Sequence, residues 1–154
     1  MHVTQLSVKN FRNYKESILN FERGKNIIIG ENAQGKSNLL EAVDLLSSGK
    51  SNRASEDREL VLWGANHAAT KVEYNARGYD ESLSMEWKLK SASSPDASAR
   101  VQKSIYVNGV LQQSIKGLLG RLLTVSFSSE DLYLLRGGPK YRRDWLDNLA
   151  SRLR

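Results

Sequence analysis

The residues of this sequence best suited to chemistry lie at positions 30–37, GENAQGKS, which match the spacing G-x-x-x-x-G-K-[ST] at Gly30, Gly35, Lys36 and Ser37. Each residue type there has a physical use. Glycines let the backbone turn tightly enough for successive N–H groups to face one anion. A helix starting near Lys36 would add the positive end of its dipole. Lys36 would place an ammonium on the β- and γ-phosphates of a nucleotide, and the Ser37 hydroxyl would meet Mg²⁺. The expected nucleotide-holding set is Gly30, Glu31, Asn32, Ala33, Gln34, Gly35, Lys36, Ser37 and Asn38, with ATP and Mg²⁺ as cofactors. The plainer alternative is a glycine-rich turn between a strand and a helix.

A strand leading into such a loop and a helix leading out of it strengthen the reading. Asn26 to Ile29 is a short apolar run that reads as a strand buried on both faces. From Ser37 onward, Leu39, Leu40, Val43, Leu45 and Leu46 recur at helical spacing, and Ser47-Ser48-Gly49 closes that helix. Upstream, Leu6 and Val8 alternate with Ser7 and Lys9, a second strand covers Ser17 to Phe21, and Arg23-Gly24-Lys25 reads as a turn. Glu56 to Trp63 reads as a short helix closed by Gly64.

The period then changes. Val72, Tyr74 and Ala76 alternate with polar residues, as do Leu83, Met85, Trp87 and Leu89, which predicts antiparallel strands with one wet face. Residues 91–99 form a Ser- and Ala-rich loop. A strand from Val101 to Val107 is followed by Asn108-Gly109, a two-residue hairpin signal. Leu122 to Phe127 reads as another buried strand. Pro139 opens a last helix with Trp145, Leu146, Leu149 and Leu153 on one face. The organisation is thus a core of strands, loop and helix at about 1–66 and 122–154, with an antiparallel layer at about 68–112.

Composition sets the outer bounds. At 154 residues the chain is long enough for one domain with a sizeable core. The absence of cysteine excludes a disulfide scaffold and a thiolate metal site, and suits a cytoplasmic protein. No apolar run suggests a signal peptide or a membrane span. The net charge is +6, and residues 136–154 carry six Lys or Arg against two Asp, hence +4 of it. That basic end suits a polyanion or simply a solvated helix face.

These blocks together resemble the RecF family of recombination-mediator ATPases, related to the SMC proteins in the ABC-type ATPase group. NFRNY at 10–14, GENAQGKSNLLEA at 30–42, GKSNRASEDRELVLWG at 49–64, VNG at 107–109 and FSSEDLYLLRGGPKYRRDWLD at 127–147 match its motifs in order. Asn52, Ala54 and Ser129 depart from the pattern, standing where a His or aromatic, a Thr and a Pro are usual. The resemblance implies an α/β P-loop ABC-type/SMC-like ATPase lobe, with a mixed sheet around the P-loop helix and an antiparallel β layer. It also implies members about twice this length or more, whose remainder holds the signature motif and the Walker B acid. The chain is expected to be the first lobe of such an ATPase, cut or truncated from the whole.

Further residue roles follow from the same likeness. Arg12 lies in a loop that would touch phosphate or ribose, or else is a surface turn. Arg53 and Asp57 would meet nucleotide or a facing lobe, or else form a local salt bridge. Arg142 and Arg143 would face another lobe or DNA, or else only water. Ser128, with Glu130 two residues on, takes the place of a glutamine that positions Mg²⁺ and water in relatives. The implied function is ATP-dependent dimerisation and DNA binding at single-strand/double-strand junctions. RecR and RecO are the implied partners in loading recombinase at gaps during DNA repair, replication and the SOS response. Another P-loop NTPase, a small-molecule kinase, or a non-catalytic fragment acting as an interaction domain are the alternatives. His2 and His67 are isolated in sequence and do not suggest a metal site.

Overall fold

The computed structural model describes residues 1–90, 100–128 and 137–152. Six strands form one sheet: β1 (His2–Phe11), β2 (Tyr14–Asn20), β3 (His67–Ala76), β4 (Tyr79–Lys90), β5 (Arg100–Val107) and β6 (Val110–Gln112). Their order is β2-β1-β3-β4-β5-β6, and every pair is antiparallel. β1 pairs with β3, so the opening strands and the later antiparallel layer share one sheet. Tight turns join the hairpins. Asn108 and Gly109 have φ 49° and 78°, as a two-residue turn with both central residues left-handed requires.

Alternation decides which face is dry. Leu6 and Val8 of β1, Val72 and Tyr74 of β3, Leu83, Met85 and Trp87 of β4, and Ile105 and Val107 of β5 are buried together. Helix α1 (Lys36–Ser48) covers them with Leu39, Ala42, Leu45 and Leu46. Each buried Val, Leu, Ile or Met here contributes roughly 1.5–3 kcal/mol by leaving water. The Phe11 and Trp87 rings pack with centroids 6.2 Å apart, tilted by 39°. Leu40, expected on the apolar stripe, points away from this face and is exposed. α1 stops at Gly49, whose φ of 73° sets the left-handed cap while its N–H reaches the Leu45 carbonyl at 2.7 Å. The Ile115 side chain occupies the space where a Cβ at Gly49 would sit.

Three expected elements differ. Residues 26–29 form no strand, and Ile27 and Ile29 are 84% and 87% exposed. Residues 122–127 form none either. Leu122 is buried, while Leu123, Val125 and Phe127 are exposed. Apolar side chains favour a strand, but a strand exists only where another backbone pairs with it. Among the described residues none does so for either run, and the sheet is antiparallel rather than mixed. The 122–124 stretch is instead pinned to α1. Ser47 Oγ donates to the Leu122 carbonyl at 2.9 Å, and Thr124 Oγ1 donates to Ser47 Oγ at 2.8 Å.

The helix expected at 56–63 is a single 3₁₀ turn, Asp57–Leu60. Its tail is captured by β1, where Phe11 bridges Val61 and the Leu62 N–H reaches the Asn10 carbonyl at 2.7 Å. The last helix, α2 (Pro139–Arg152), starts where proline at the first helical position predicts, yet Trp145 and Leu146 are exposed. The loop at 91–99, Ser129, Glu130 and Leu153 lie outside the described residues. No helix among those described is long and apolar enough to cross a membrane.

Tyr74 offers a test of this packing. Its hydroxyl donates to Glu81 Oε2 at 3.1 Å. Burial first, then the hydrogen bond to Glu81 and the Glu81 charge, push its pKa up from 10.0 to about 12, against a smaller opposing effect of Arg121. A folded-state pKa above the unfolded one contributes stability that is complete below pH 10 and is lost as pH rises toward 12. In an absorbance titration at 295 nm, wild type is expected to show one late-ionising tyrosine that Tyr74→Phe lacks. Identical titration curves for the two proteins would contradict the packing described.

Candidate phosphate-binding site

Residues 30–35 turn back on themselves before α1. Gly30, Ala33 and Gly35 have φ 157°, 66° and 99°, so the loop passes twice through the left-handed region, at Ala33 and Gly35. α1 begins at Lys36 with Gly35 as its N-cap and no side chain capping it. The Gly35 carbonyl accepts from the N–H groups of Asn38 at 2.8 Å and Leu39 at 3.2 Å. The first amides of the helix are therefore oriented by α1 but not covered by a capping side chain, which is the arrangement that takes an anion. Lys36 folds back over the loop, its Nζ donating to the carbonyls of Gly30 at 2.7 Å and Glu31 at 2.6 Å. Glu31, Asn32, Ala33, Gln34 and Ser37 are exposed along this turn, with Asn38 half-buried one turn into α1.

A second layer of residues holds the loop from behind. The Asn13 side chain, from the turn between β1 and β2, donates through Nδ2 to the Gln34 carbonyl at 3.1 Å and accepts from Asn38 Nδ2 at 2.9 Å. It packs so closely that a Cβ on Gly35 would lie 2.5 Å from Asn13 Oδ1 and 2.8 Å from the Tyr14 ring. Glycine at position 35 is thus required twice, by its φ and by this contact.

Glu41 sits one turn further along α1, with its side chain only 3% exposed. Its carboxylate accepts from Arg12 Nη2 at 2.6 Å, Arg12 Nε at 3.0 Å, Ser51 Oγ at 2.6 Å and Arg53 Nη1 at 3.5 Å. Arg12 therefore stands beside the loop with Nε and Nη2 on Glu41 and Nη1 on the Glu59 carbonyl at 3.0 Å. Arg53 also reaches Asn38 Oδ1 at 3.1 Å. Asp57 pairs with Lys103 at 3.6 Å, the local salt bridge that was one of its two expected uses.

An open cleft of about 780 Å³ runs alongside, lined by Arg12, Asn13, Asn38, Arg53, Glu56 and Trp63 among others. Its volume lies in the range of small-molecule sites. It shares Asn13 and Asn38 with the loop's support, so a ligand anchored by phosphate in the loop has room beside it. Arg142 and Arg143 are exposed on α2, and Ser128 is exposed in an irregular stretch. His67 lies 3.8 Å from Glu86, and among the described residues no group of three His, Cys, Asp or Glu could hold a metal.

Glu41 and Ser51 were not evident as site residues in the sequence, and Asn13 stood out only as the neighbour of Arg12 in the loop after the first strand. Glu41 had a signal: it lies four residues before the apolar Leu45, on the flank of the buried face of α1, where an unpaired charge is costly.

The helix starts behind this turn as in a P-loop, although residues 26–29 form no strand ahead of it, and the class of protein comes from comparison with known proteins. Residues 1–116 match the family model described as AAA ATPase domain. The chain belongs to that family, and within it to the RecF group. It is 40% identical over 153 residues to the DNA replication and repair protein RecF of Synechococcus sp. (strain JA-2-3B'a(2-13)), covering 99% of the chain and 38% of that relative. It is 38% identical over 147 residues to RecF of Bacillus mycoides (strain KBAB4), covering 96% of the chain and 36% of that relative. Among solved structures, the recombination mediator protein RecF bound as RecF-ATP in the RecFOR pathway superposes with TM-score 0.83 at 38% identity, over 99% of this chain and 38% of that one. The SMC head domain from Thermotoga maritima shares the fold, with TM-score 0.60 at 20% identity over 80% of this chain and 43% of that one. The chain thus spans less than two-fifths of the length of the RecF relatives it matches.

Glu41→Ala is expected to destabilise the fold by about 3 kcal/mol in chemical denaturation, because removing one partner leaves a largely buried guanidinium without its carboxylate. The Arg12 side chain keeps 18% exposure, which places the effect at the low end of the usual range. A loss under about 1 kcal/mol, the scale of a surface pair, would show that the cluster is not holding the loop's support together.

Proposed function

We propose that this chain is the ATP-binding lobe of a RecF-type DNA repair ATPase. The observation that carries the reading is the loop at 30–37, where Lys36 bridges the Gly30 and Glu31 carbonyls in front of a helix start that no side chain caps. A triphosphate supplies stronger acceptors than those carbonyls, and Lys36 is positioned to exchange onto it. Gly30, Glu31, Asn32, Ala33, Gln34, Gly35, Lys36, Ser37 and Asn38 then surround the phosphates, and the neighbouring cleft takes the nucleoside. Arg12 serves this site through Glu41. The exposed Ser37 hydroxyl is a hard oxygen donor at the mouth of the loop and fits as one ligand of Mg²⁺, which would offset phosphate charge when bound. The solved RecF-ATP structure at 38% identity supports the choice of nucleotide.

Further roles are proposed from the relatives. In the whole protein, a second subunit would close over the bound ATP and hydrolysis would reopen the pair. The exposed Arg142 and Arg143 on a basic helix suit a DNA backbone. We place the protein in the cytoplasm, acting at single-strand/double-strand junctions with RecR and RecO to load recombinase at gaps. The RecFOR context of the solved neighbour supports those partners.

Lys36→Ala is expected to weaken ATP binding by about 10- to 100-fold, given roughly 1.5–3 kcal/mol for hydrogen bonds to a charged group. Titration with a fluorescent ATP analogue measures it, and equal affinity for the two proteins would remove Lys36 from the site. A second expectation concerns turnover. Hydrolysis requires a positioned water and a charge-compensated γ-phosphate, and the loop provides cradling with one metal-ligand hydroxyl. The chain alone with Mg·ATP is expected to turn over far below ~1 s⁻¹, the slow edge of ordinary enzymes. A rate near that value, abolished by Lys36→Ala, would show that an acid within these 154 residues, such as Glu130 or Asp131, completes the site.

A further inference from the structure

Asn13 is not part of the loop, yet it makes the contact that determines how one loop peptide faces. Its Nδ2 holds the Gln34 carbonyl at 3.1 Å, and its Oδ1 is itself held by Asn38 Nδ2 at 2.9 Å. The peptide between Gln34 and Gly35 is trans, since the described chain has no cis bond. In a trans peptide the C=O and N–H point in opposite directions. Fixing the Gln34 carbonyl toward Asn13 therefore fixes the Gly35 N–H away from it. Gly35, at φ 99° and without a Cβ, has little intrinsic preference for this orientation, so without a tether the peptide is free to rotate.

The tether is itself rigidly mounted. Arg12, next in chain, has φ 53°, donates its N–H to the Leu60 carbonyl at 2.8 Å and holds Glu41 through two side-chain nitrogens. Tyr14 follows at the start of β2, paired with Phe11. Asn13 is thus presented to the loop from a turn anchored on both sides.

We propose that Asn13 is a positioning residue for the phosphate loop. It pre-sets the Gln34–Gly35 peptide so that the Gly35 N–H is already aimed at phosphate before the ligand arrives, and its effect on phosphate binding runs through that peptide. The proposal rests on the phosphate-binding reading above. Affinity follows because an amide that is already aimed requires no reorientation on binding.

The test has two readouts on the 154-residue chain. Without ligand, ¹H–¹⁵N spectra of Asn13→Ala are expected to show shifted or exchange-broadened Gly35 and Lys36 amides, with Val72 and Leu83 in the sheet unchanged. Loop amides identical to wild type would overturn the proposal. With ligand, calorimetry is expected to show inorganic tripolyphosphate and ATP weakened by the same factor, about 3- to 10-fold, the value of one neutral hydrogen bond. Loss for ATP with tripolyphosphate unchanged would place Asn13 on the nucleoside and also overturn it. Should Asn13→Ala not fold, Asn13→Asp keeps the size and the acceptor for Asn38 while removing the donor to Gln34, and the ligand-free loop amides then decide, because the added carboxylate by itself would repel phosphate. If wild type binds neither tripolyphosphate nor ATP, the functional reading fails, while the loop amides still decide the role of Asn13.

Discussion

A single buried carboxylate organises the surroundings of the phosphate loop. Glu41 projects from α1 into the space between the β1–β2 turn and the segment after α1, where Arg12, Ser51 and Arg53 converge on it. Withdrawing a carboxylate from water is expensive, and short charge-assisted hydrogen bonds in good geometry offset it. Four donor contacts at 2.6–3.5 Å do so here. Because the donors come from the β1–β2 turn and from residues 51–53, satisfying the charge also fixes those two segments relative to α1. Ser51 extends this: its Oγ accepts from the N–H groups of Arg53 at 3.0 Å and Ala54 at 2.9 Å, shaping the turn that presents Arg53.

The division of labour between loop and support follows. The loop itself contains three glycine or small residues in unusual backbone conformations and few side-chain anchors. Such a segment has low intrinsic order. Its shape is imposed from outside, by Asn13 at one peptide and by Lys36 across its mouth. Both constraints originate on elements that are themselves packed: β1 and α1 share the core of Leu6, Val8, Leu45 and Leu46. The antiparallel sheet contributes to function in this indirect way, as the rigid surface from which α1 and the β1–β2 turn approach the loop.

The arrangement also accounts for part of the charge in the cleft beside the loop. Arg12 and Arg53 line it because they are held on Glu41, and Glu56, Arg58 and Glu59 join them from the 3₁₀ turn and its N-terminal cap. Trp63 stands at 94% exposure on that rim, next to these charges.

Much of this was legible from residue order alone, wherever a local rule governed the outcome. The start of α1 at Lys36, its end at Gly49, the alternation of Val72 with Tyr74 and of Leu83, Met85 and Trp87, and the Asn108-Gly109 turn depend on neighbours a few residues apart, so short-range chemistry determined them. The resemblance carried by GENAQGKSNLLEA was equally local. What only the tertiary structure decided involves distant partners. Residues 26–29 and 122–127 have strand-like composition but no pairing backbone among the described residues, since a ladder needs a second chain segment that periodicity does not encode. The 3₁₀ turn at Asp57–Leu60 is short because β1, some fifty residues earlier, takes up its tail. By resemblance, Arg12 was expected near phosphate or ribose, or else in a surface turn. Its bond to Glu41, 29 residues away, could be seen only once the fold had brought the buried carboxylate within 2.6 Å.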